Sequence, residues 1–391
     1  MSAPAIRGWC PGALRPMASG DGLVVRLRLP AGRMTGPQAR AIADLARRFG
    51  NGLIDVSARA NLQLRGVQPD GHPPLLAALA ELGLVDADAG AEMRRNVLLA
   101  PFWQAGDGAG ELALALGAAL ALGAALAGAQ DLALPGKFGF AVDGGALPVL
   151  RGASADIRLE RAAGGRWLVY ADGAGLGQVV AGAEAVAAAL ALARWFLATG
   201  GVEQGRGRMA AHVRRCGALP DEANSAVPQA PAFAPVPGPV SAGVLVGVAF
   251  GRLSAEVLAA LAEAGPIRLT PWRMLLLEGC RQAPALAGLV TLADDPRLRL
   301  AVCPGAPQCT QALAEVRDLA LALAPHVPAG QVLHVSACAK GCAHPAPADL
   351  VLAARPGGFG LARGATAATA ASCPPIARAA LLSHPELLQA E

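Results

Sequence analysis

The pattern of apolar and polar positions repeats along the chain. Residues 22–66 read as an apolar strand, a Gly-Arg pair, a helix and two short strands, and residues 243–279 read in the same order. Thr35 and Ser254 directly precede the two helical patterns and are residue types that favour a helix N-cap. The pattern therefore predicts two copies of one small α+β unit.

A second echo follows each copy. Residues 155–173 and 348–364 both read as Ala-Asp, a strand, a Gly-Gly turn and a second strand, and an Ala/Leu-rich helical stretch precedes each. Chance similarity in an Ala-rich chain is the alternative. Two echoes in the same order favour a duplication instead, which predicts an α+β protein with two pseudo-symmetric halves and a site for a large ligand between them.

Composition and charge exclude several classes of protein. Of 391 residues, 54% are apolar and 16% charged, and the net charge is only +4, so we expect neither a nucleic-acid partner nor a membrane-surface partner. The uncharged stretch 112–130 reaches the length of a bilayer span. Its flanks are acidic and it has no aromatic belt, so we expect a buried helix broken near Gly123 or Gly128 rather than a membrane helix. The first residues contain no continuous apolar run, so no secretory signal is expected and the cytoplasm is predicted.

Four cysteines form two close pairs. Cys303 and Cys309 are spaced C-x5-C, and Cys338 and Cys342, spaced C-x3-C, follow after 28 intervening residues. Four thiolates could hold a [4Fe–4S] cluster. Tetrahedral zinc and buried apolar thiols are the alternatives, although the first pair exceeds the usual zinc spacing. A helix beginning at Thr310 is predicted between the pairs. Structural roles are expected for the isolated cysteines Cys10, Cys216, Cys280 and Cys373.

At this point the chain resembles the sirohaem-dependent nitrite and sulfite reductase superfamily. The C-x5-C and C-x3-C pairs in the second half resemble its cluster motif, and SARANLQLRG (57–66), RRNVLLAP (94–101) and LPGKFGF (134–140) are similar to its conserved basic segments. The resemblance covers nearly the whole chain. It implies that the four cysteines bind a [4Fe–4S] cluster and that three basic residues point at tetrapyrrole carboxylates or a small substrate: Arg59, Arg95 and Lys137.

The resemblance also implies the fold class. We expect an α+β protein of two pseudo-symmetric halves, each a ferredoxin-like half-domain followed by a nitrite/sulfite reductase-like α+β domain. The predicted units are 1–75, the first half-domain; 85–218, the first α+β domain; 219–240, a Pro-rich linker; 241–295, the second half-domain; and 296–391, the cluster-binding α+β domain.

Three features depart from the reductases. Gly139 stands where the sulfite reductases carry a second lysine, Lys340 stands where asparagine is typical, and the chain is shorter than most members. These features, with HVSACAKGCAHPAPADL (334–350) and GWCPGALRPMASGDGLVVR (8–26), are similar to the precorrin-3B synthase family, although Ala337 replaces its usual glycine.

That second resemblance implies a monooxygenase of aerobic cobalamin biosynthesis. Its expected substrates are the tetrapyrrole precorrin-3A and O2, and its expected cofactors are a [4Fe–4S] cluster and a mononuclear non-haem iron. Arg59, Arg95, Lys137 and Lys340 are the catalytic candidates. The substrate-binding candidates are Arg59, Asn61, Gln63, Arg65, Arg95 and Lys137, because guanidinium groups bind carboxylates bidentately and alternate strand residues share a face. For each single residue a solvated surface charge is the alternative.

The ligands of a non-haem iron are less defined. Such sites favour histidine and carboxylate, and His344, with His334 second, lies next to the cysteines. A hydrogen-bond donor beside the cluster is the alternative role for either histidine.

Two other functions stay open from the sequence, a sirohaem-dependent nitrite or sulfite reductase and a non-catalytic iron–sulfur electron carrier. No nucleotide-binding fingerprint is evident, so NAD(P)H is expected to act indirectly, through an external reductase or ferredoxin. An internally duplicated chain predicts a monomer.

Overall fold

Strands and helices follow one another in two similar series. The computed structural model describes residues 11–122, 132–217, 219 and 234–389. The first series is β1 (Met17–Ser19), β2 (Gly22–Leu27), β3 (Arg33–Met34), α1 (Gly36–Phe49), β4 (Leu53–Val56), β5 (Leu62–Val67), α2 (His72–Glu81), α3 (Ala89–Arg94), β6 (Val97–Leu99), α4 (Ala109–Leu122), β7 (Phe140–Asp143), β8 (Ile157–Arg161), β9 (Trp167–Ala171), β10 (Gln178–Val180), α5 (Gly182–Ala198) and α6 (Met209–Cys216). The second is β11 (Gly238–Val240), β12 (Gly243–Val248), β13 (Arg252–Ser254), α7 (Ala255–Ala262), β14 (Ile267–Leu269), β15 (Met274–Glu278), β16 (Leu289–Val290), β17 (Leu300–Val302), α8 (Arg317–Leu323), β18 (Leu333–Ser336), β19 (Ala348–Arg355), β20 (Gly358–Ala365), α9 (Ala367–Ala370) and α10 (Arg378–Ser383).

Two antiparallel sheets exchange a strand between the halves. One sheet has the order β1-β2-β5-β4-β13, and the other has the order β11-β12-β15-β14-β3, with β16 also paired to β12. Strand β3 comes from the first half but completes the second sheet, whereas β13 comes from the second half but completes the first. Helices α1 and α7 pack against each other between them. Each half therefore contributes a strand that the other half's sheet requires.

Charged side chains fix the exchanged strands. Arg252 on β13 forms a bidentate ion pair with Asp55 on β4, at 2.6 and 3.0 Å. Arg33 on β3 forms the same kind of pair with Glu278 on β15, at 2.8 and 2.9 Å, and Glu278 also accepts from Arg268 on β14. Such planar two-point pairs set register as well as energy.

The other two sheets are also related. The order β10-β9-β8-β7-β6 is parallel through β6, β7 and β8 and then antiparallel, and the order β17-β18-β19-β20 is parallel through β17, β18 and β19 and then antiparallel. Each has its own apolar core, separate from the core that the two ferredoxin-like sheets share. This confirms the predicted α+β architecture of two similar halves.

Several local predictions are confirmed. Thr35 caps α1 with a capping box, and Ser254 caps α7 by accepting from the Val257 amide at 3.3 Å. The two strand–turn–strand echoes are the hairpins β8–β9 and β19–β20. Helix α4 contains the start of the Ala/Leu-rich stretch, while residues 123–131, with the expected break at Gly123 or Gly128, lie outside the described residues, as does Cys10.

The predicted helix from Thr310 is wrong in its start. Helix α8 begins only at Arg317 and ends at Leu323, so the Ala/Leu helix expected before the second hairpin is also much shorter than predicted. The reason is that backbone groups of residues 310–316 form hydrogen bonds outside a helix. The Leu313 amide donates to the Ala337 carbonyl at 2.8 Å, and the Ala314 carbonyl accepts from the Ala306 amide at 3.1 Å. The first bond joins the two cysteine segments, the second closes the loop around Cys309, and both replace helical hydrogen bonds.

The predicted linker is partly structured. Its last residues form β11, which pairs with β12 as β1 pairs with β2, and Pro239 sits on that edge strand, where no ladder donor is needed. In the described parts of the chain, no helix is long and apolar enough to cross a membrane.

Candidate functional site

The sheet topology brings the two cysteine pairs together. Cys303 directly follows β17 and Cys338 follows β18 after one residue, and these parallel strands pair with Val302 opposite Val335. The carboxyl ends of parallel neighbours meet at one sheet edge, so the loop carrying Cys309 and the turn carrying Cys342 extend from that edge together.

The four thiols lie close enough to interact electrostatically. Burial is the main cause that raises the pKa of Cys303, and the nearby thiols of Cys338 and Cys309 raise it further. Hydrogen bonds from the amides of residues 337 and 305 act in the opposite direction and lower this pKa. The pKa of Cys342 is likewise raised by burial first and then by the other three thiols, with Lys340 opposing. Cys303 and Cys342 would therefore release their protons most readily when a cation binds among the thiols.

The backbone around the thiols supplies a hydrogen-bond donor and two tight turns. The Ala337 amide donates to Cys303 Sγ at 3.2 Å. Gly305 and Gly341, one in each cysteine segment, have φ of 74° and 64°, in the left-handed region that favours glycine. A Cβ at Gly341 would lie 3.0 Å from Ala367 Cβ and 3.3 Å from His334 Cε1, so the turn is tightly enclosed.

The first half holds the loop between Cys303 and Cys309. The Gln308 carbonyl accepts from Ser19 Oγ at 2.6 Å, from the Gly20 amide at 3.1 Å and from Arg65 Nη2 at 3.2 Å. A Cβ at Gly20 would lie 2.3 Å from the Pro307 carbonyl oxygen. The turn between β1 and β2 is therefore shaped to fit this loop.

The buried guanidinium of Arg317 bears on whether the residues around the thiols suit an anionic cluster. Its guanidinium is desolvated, its Nε is buried without a hydrogen-bond partner, and it lies 5.7 Å over the Phe250 ring. Burial and the like charge of Arg252 lower the pKa of Arg317 to about 10, opposed by Asp55 and by Cys303. A [4Fe–4S] cluster with four thiolates is a net anion, so a cation near Cys303 without its own carboxylate hydrogen bond fits that group.

The four thiols do not form a mononuclear site. Over the described ranges, no three His, Cys, Asp or Glu side chains converge as the ligands of one metal ion. A cubane binds each thiolate at a separate iron corner, so it does not require convergence on one point.

The two candidate iron-binding histidines lie close together. Their ring centroids are 5.9 Å apart. His334 is fully buried, both its ring nitrogens lack a partner, and burial, then the neighbouring His344, lower its pKa to about 4. His344 Nε2 contacts the Pro347 carbonyl at 3.3 Å. No carboxylate joins them within the described residues, and their role as iron ligands stays a prediction.

Two of the predicted basic residues lie together in the first half. Arg59 donates to the Lys137 carbonyl at 3.0 Å and to Ser154 Oγ at 3.1 Å. Lys137 is exposed, as is Lys340 beside Cys342. Arg59 lies in the turn between β4 and β5, so the expectation that it shares a strand face with Asn61, Gln63 and Arg65 is wrong, because β5 begins only at Leu62.

The other predicted basic residues already have partners. Arg95 forms a bidentate pair with Asp86 at 2.7 and 2.8 Å, and with Asn61 it lines a cavity of about 260 Å³. Arg65 is buried and pairs with Asp21 at 2.8 and 3.1 Å. Gln63 is half-buried in β5. Substrate contacts by these residues stay predictions, and in this structure Arg65 contacts the cysteine loop.

Gly139 is enclosed by its neighbours. A Cβ there would lie 2.7 Å from Asn96 Nδ2 and 3.3 Å from the Asn96 carbonyl oxygen. Asn96 Nδ2 itself donates to Phe138 at 2.9 Å, and the Gly139 amide donates to buried Asp156 at 2.9 Å. A lysine at this position would displace that network.

The sequence reasoning missed Arg317 and Gln308. Arg317 falls within the helix predicted from Thr310, and its one signal is that it is the first basic residue after Cys309. The Gln308 carbonyl carries no side-chain signal at all.

The fold and a matched half-domain place the chain in the nitrite/sulfite reductase-like superfamily, whose named relatives are oxidoreductases. Residues 15–82 match the nitrite/sulfite reductase ferredoxin-like half-domain. The structure of the Mycobacterium tuberculosis NirA protein superposes with a TM-score of 0.64 over 88% of this chain and 74% of that one, at 18% identity, which concerns the fold alone. A ferredoxin–nitrite reductase of Leptolyngbya laminosa is 32% identical over 94 residues, 24% of this chain and 18% of that protein.

A further relative covers nearly the whole chain. The precorrin-3B synthase of Sinorhizobium sp is 33% identical over 389 residues, which span 91% of this chain and 82% of that protein. The chain belongs to the precorrin-3B synthase family.

Proposed function

We propose that the protein converts precorrin-3A, O2 and reducing equivalents to precorrin-3B, by hydroxylation at the C20 meso carbon and formation of a γ-lactone from the ring A acetate. One oxygen atom enters the substrate and the other leaves as water, which consumes two electrons and two protons. The observation that carries this proposal is the thiol quartet combined with Gly139, since the position that holds a second lysine in the sulfite reductases is closed here by Asn96.

Cys303, Cys309, Cys338 and Cys342 would hold the [4Fe–4S] cluster, which supplies electrons one at a time. The Ala337 amide donates to one ligand sulfur, and the Arg317 charge opposes the negative charge of the thiolates. Together these groups would keep a reduced, more anionic site from being destabilised by burial.

Arg59 and Lys137 would bind carboxylates of the tetrapyrrole. Their positions support this role because Ser154 and the Lys137 carbonyl fix the Arg59 guanidinium, while the Lys137 side chain is exposed. Arg95 would join them only if it exchanged Asp86 for a substrate carboxylate. Lys340, beside Cys342, is the remaining catalytic candidate.

The mononuclear iron and the electron source complete the proposal. His344 is the proposed iron ligand in this chain, and NAD(P)H would supply electrons through a separate reductase or ferredoxin. We propose that the protein is a monomer, since one chain contains both halves of the pseudo-symmetric fold. We also propose that it acts in the cytoplasm.

The test is incubation of the anaerobically purified protein with precorrin-3A, a reducing system and isotopically labelled O2. Mass spectrometry should find one labelled oxygen atom in the product, and no incorporation would exclude the oxygenase. The visible spectrum separates the reductase alternative, because intense sirohaem bands would contradict a tetrapyrrole that acts as substrate.

A further inference from the structure

A second cavity lies beside the cysteine turn. It measures about 300 Å³ and is lined by Ala58 of the β4–β5 turn, by Trp272 and Arg273 of the β14–β15 turn, and by Ala343 and His344, which directly follow Cys342. Both halves of the protein therefore contribute to this cavity, which we name the Arg273 pocket.

Arg273 has an unusual backbone conformation. Its φ is 59°, and the pseudo-equivalent residue of the first half, Ala60, has φ of 50°. Both turns are closed in the same way: Ser57 Oγ accepts from the Asn61 amide at 3.1 Å, and Thr270 Oγ1 accepts from the Met274 amide at 3.2 Å. The turn and its left-handed backbone conformation are thus present in both halves. The residue that adopts this conformation differs, since it is alanine in the first half and arginine in the second.

The neighbouring backbone makes room for this arginine. A Cβ at Gly251 would lie 2.7 Å from the Val56 carbonyl oxygen, 3.0 Å from Arg273 Cδ and 3.1 Å from Arg273 Cγ. At the pseudo-equivalent Gly32 the nearest such contact is 3.8 Å, to the Leu269 carbonyl oxygen. Arginine is a residue type that rarely adopts a left-handed backbone conformation, so its presence at φ 59° points to a side chain placed for function.

The lining of the Arg273 pocket carries basic side chains. Burial lowers the pKa of Arg273, while Asp55 opposes it, yet both Asp55 oxygens are already bonded to Arg252. The described residues that line the pocket include no Asp or Glu. Arg297 also lines it but is paired with Asp295 at 2.7 Å.

Aromatic and aliphatic side chains form the rest of the wall. Trp272 is stacked on Phe102 with centroids 6.1 Å apart, and Phe250 and Leu298 also line the pocket. A guanidinium beside an apolar wall suits a carboxylate arm attached to a flat conjugated ring.

We propose that the Arg273 pocket binds one carboxylate arm of the tetrapyrrole substrate, with Arg273 as the anion contact and Trp272 as the wall for the ring edge. This rests on the proposed function for the identity of the substrate. It adds a contact from the second half to the Arg59 and Lys137 contacts of the first.

The test is Arg273→Gly in the cluster-loaded protein. Glycine relieves the left-handed backbone, so the variant should fold with full iron and sulfide content and a thermal midpoint no lower than that of the parent. Binding of uroporphyrin I, followed by porphyrin fluorescence anisotropy under anaerobic conditions, should weaken about tenfold, as expected for one lost charge-assisted pair. Arg281→Gly is the matched control, since Arg281 is exposed and outside the pocket.

Unchanged uroporphyrin binding by Arg273→Gly, or equal weakening by Arg281→Gly, would contradict the proposal that the Arg273 pocket binds a tetrapyrrole carboxylate. Selective weakening by Arg273→Gly supports it even where the parent protein incorporates no labelled oxygen. Oxygen incorporation by the parent together with unchanged binding by the variant would overturn the pocket and leave the proposed function standing.

Discussion

Arg317 carries a buried charge whose Nε has no hydrogen-bond partner among the described residues. Its guanidinium is desolvated beside Cys303, and neighbouring arginines repel it. We expect Arg317→Met to lower the reduction potential of the assembled cluster by on the order of 60 mV, about a tenfold change for a one-electron couple. The cause is loss of a cation that stabilises the added electron. A spectroelectrochemical titration measures this.

Arg317→Lys retains the charge and should stay near the parent potential, and Arg281→Met removes an exposed charge as the control. Without the cluster, Arg317→Met should unfold at a higher temperature than the parent, because a buried unpaired cation has been removed. A potential unaffected by Arg317→Met would show that this charge does not act on the cluster.

Cys342 is the most exposed of the four proposed cluster ligands, yet its thiol interacts with the other three. We expect Cys342→Ser to abolish the [4Fe–4S] cluster, measured as the loss of bound iron, acid-labile sulfide and broad visible absorption. Cys280→Ser is the control, since its thiol donates only to the Ala264 carbonyl at 3.5 Å. Full iron and sulfide content in Cys342→Ser would refute the ligand assignment.

At the scale of elements, both exchanged strands carry an arginine that pairs with a carboxylate of the sheet they complete. In the first sheet an acid on β4, Asp55, lies between Arg252 and Arg65, the second contact being 3.8 Å. In the second sheet the acid, Glu278, is on β15 and lies between Arg33 and Arg268. Each exchanged strand is therefore fixed by one carboxylate that serves two guanidinium groups.

Glu278→Gln tests this arrangement. Burial alone would raise the pKa of Glu278, but its bonds to Arg33 and Arg268 outweigh burial and lower the pKa below the ordinary 4.5. The contribution to stability is thus present above pH 4.5 and is lost as pH falls through the lower folded pKa. At pH 7 we expect a loss of about 2–3 kcal/mol in the free energy of unfolding.

Denaturant unfolding at pH 7 and at pH 3 measures the effect, which should shrink at the lower pH. Glu263→Gln is the matched control, because its ion pair with Arg40 also joins the halves but is exposed on both sides, so we expect a change below about 1 kcal/mol. Equal losses in the two variants would contradict a special role for the exchanged strands.

The elements also show what the sequence could and could not predict. Thr35 and Ser254, the Gly-Gly hairpins and the cysteine pairs were predictable because each depends on local residue preferences or spacing. The exchange of β3 and β13 was not, since two- and three-residue strands carry no periodicity. The late start of α8 depends on a contact between Leu313 and Ala337, which the local sequence pattern does not encode. The pairing of Arg95 with Asp86 depends on how the chain turns between them, which residue spacing alone does not determine.

At the scale of the whole molecule, the two halves depend on each other. Each ferredoxin-like sheet lacks a strand without the other half, and one apolar core includes Ile42 and Leu258 from the two central helices. The Gln308 carbonyl also takes its donors from Ser19, Gly20 and Arg65 of the first half. The cluster site therefore belongs to the assembled pair and not to the second half alone.

We accordingly expect that halves produced separately, divided within residues 220–233, will not fold alone. Each would expose the shared core and an unpaired sheet edge, and such surfaces drive association. Mixed or co-expressed halves should form a one-to-one complex on size-exclusion chromatography and bind iron and sulfide, whereas the second half alone should not. As a control, the intact chain cleaved within 220–233 after folding should keep its cluster. Cooperative unfolding of either isolated half as a monomer would show that the strand exchange is dispensable for folding.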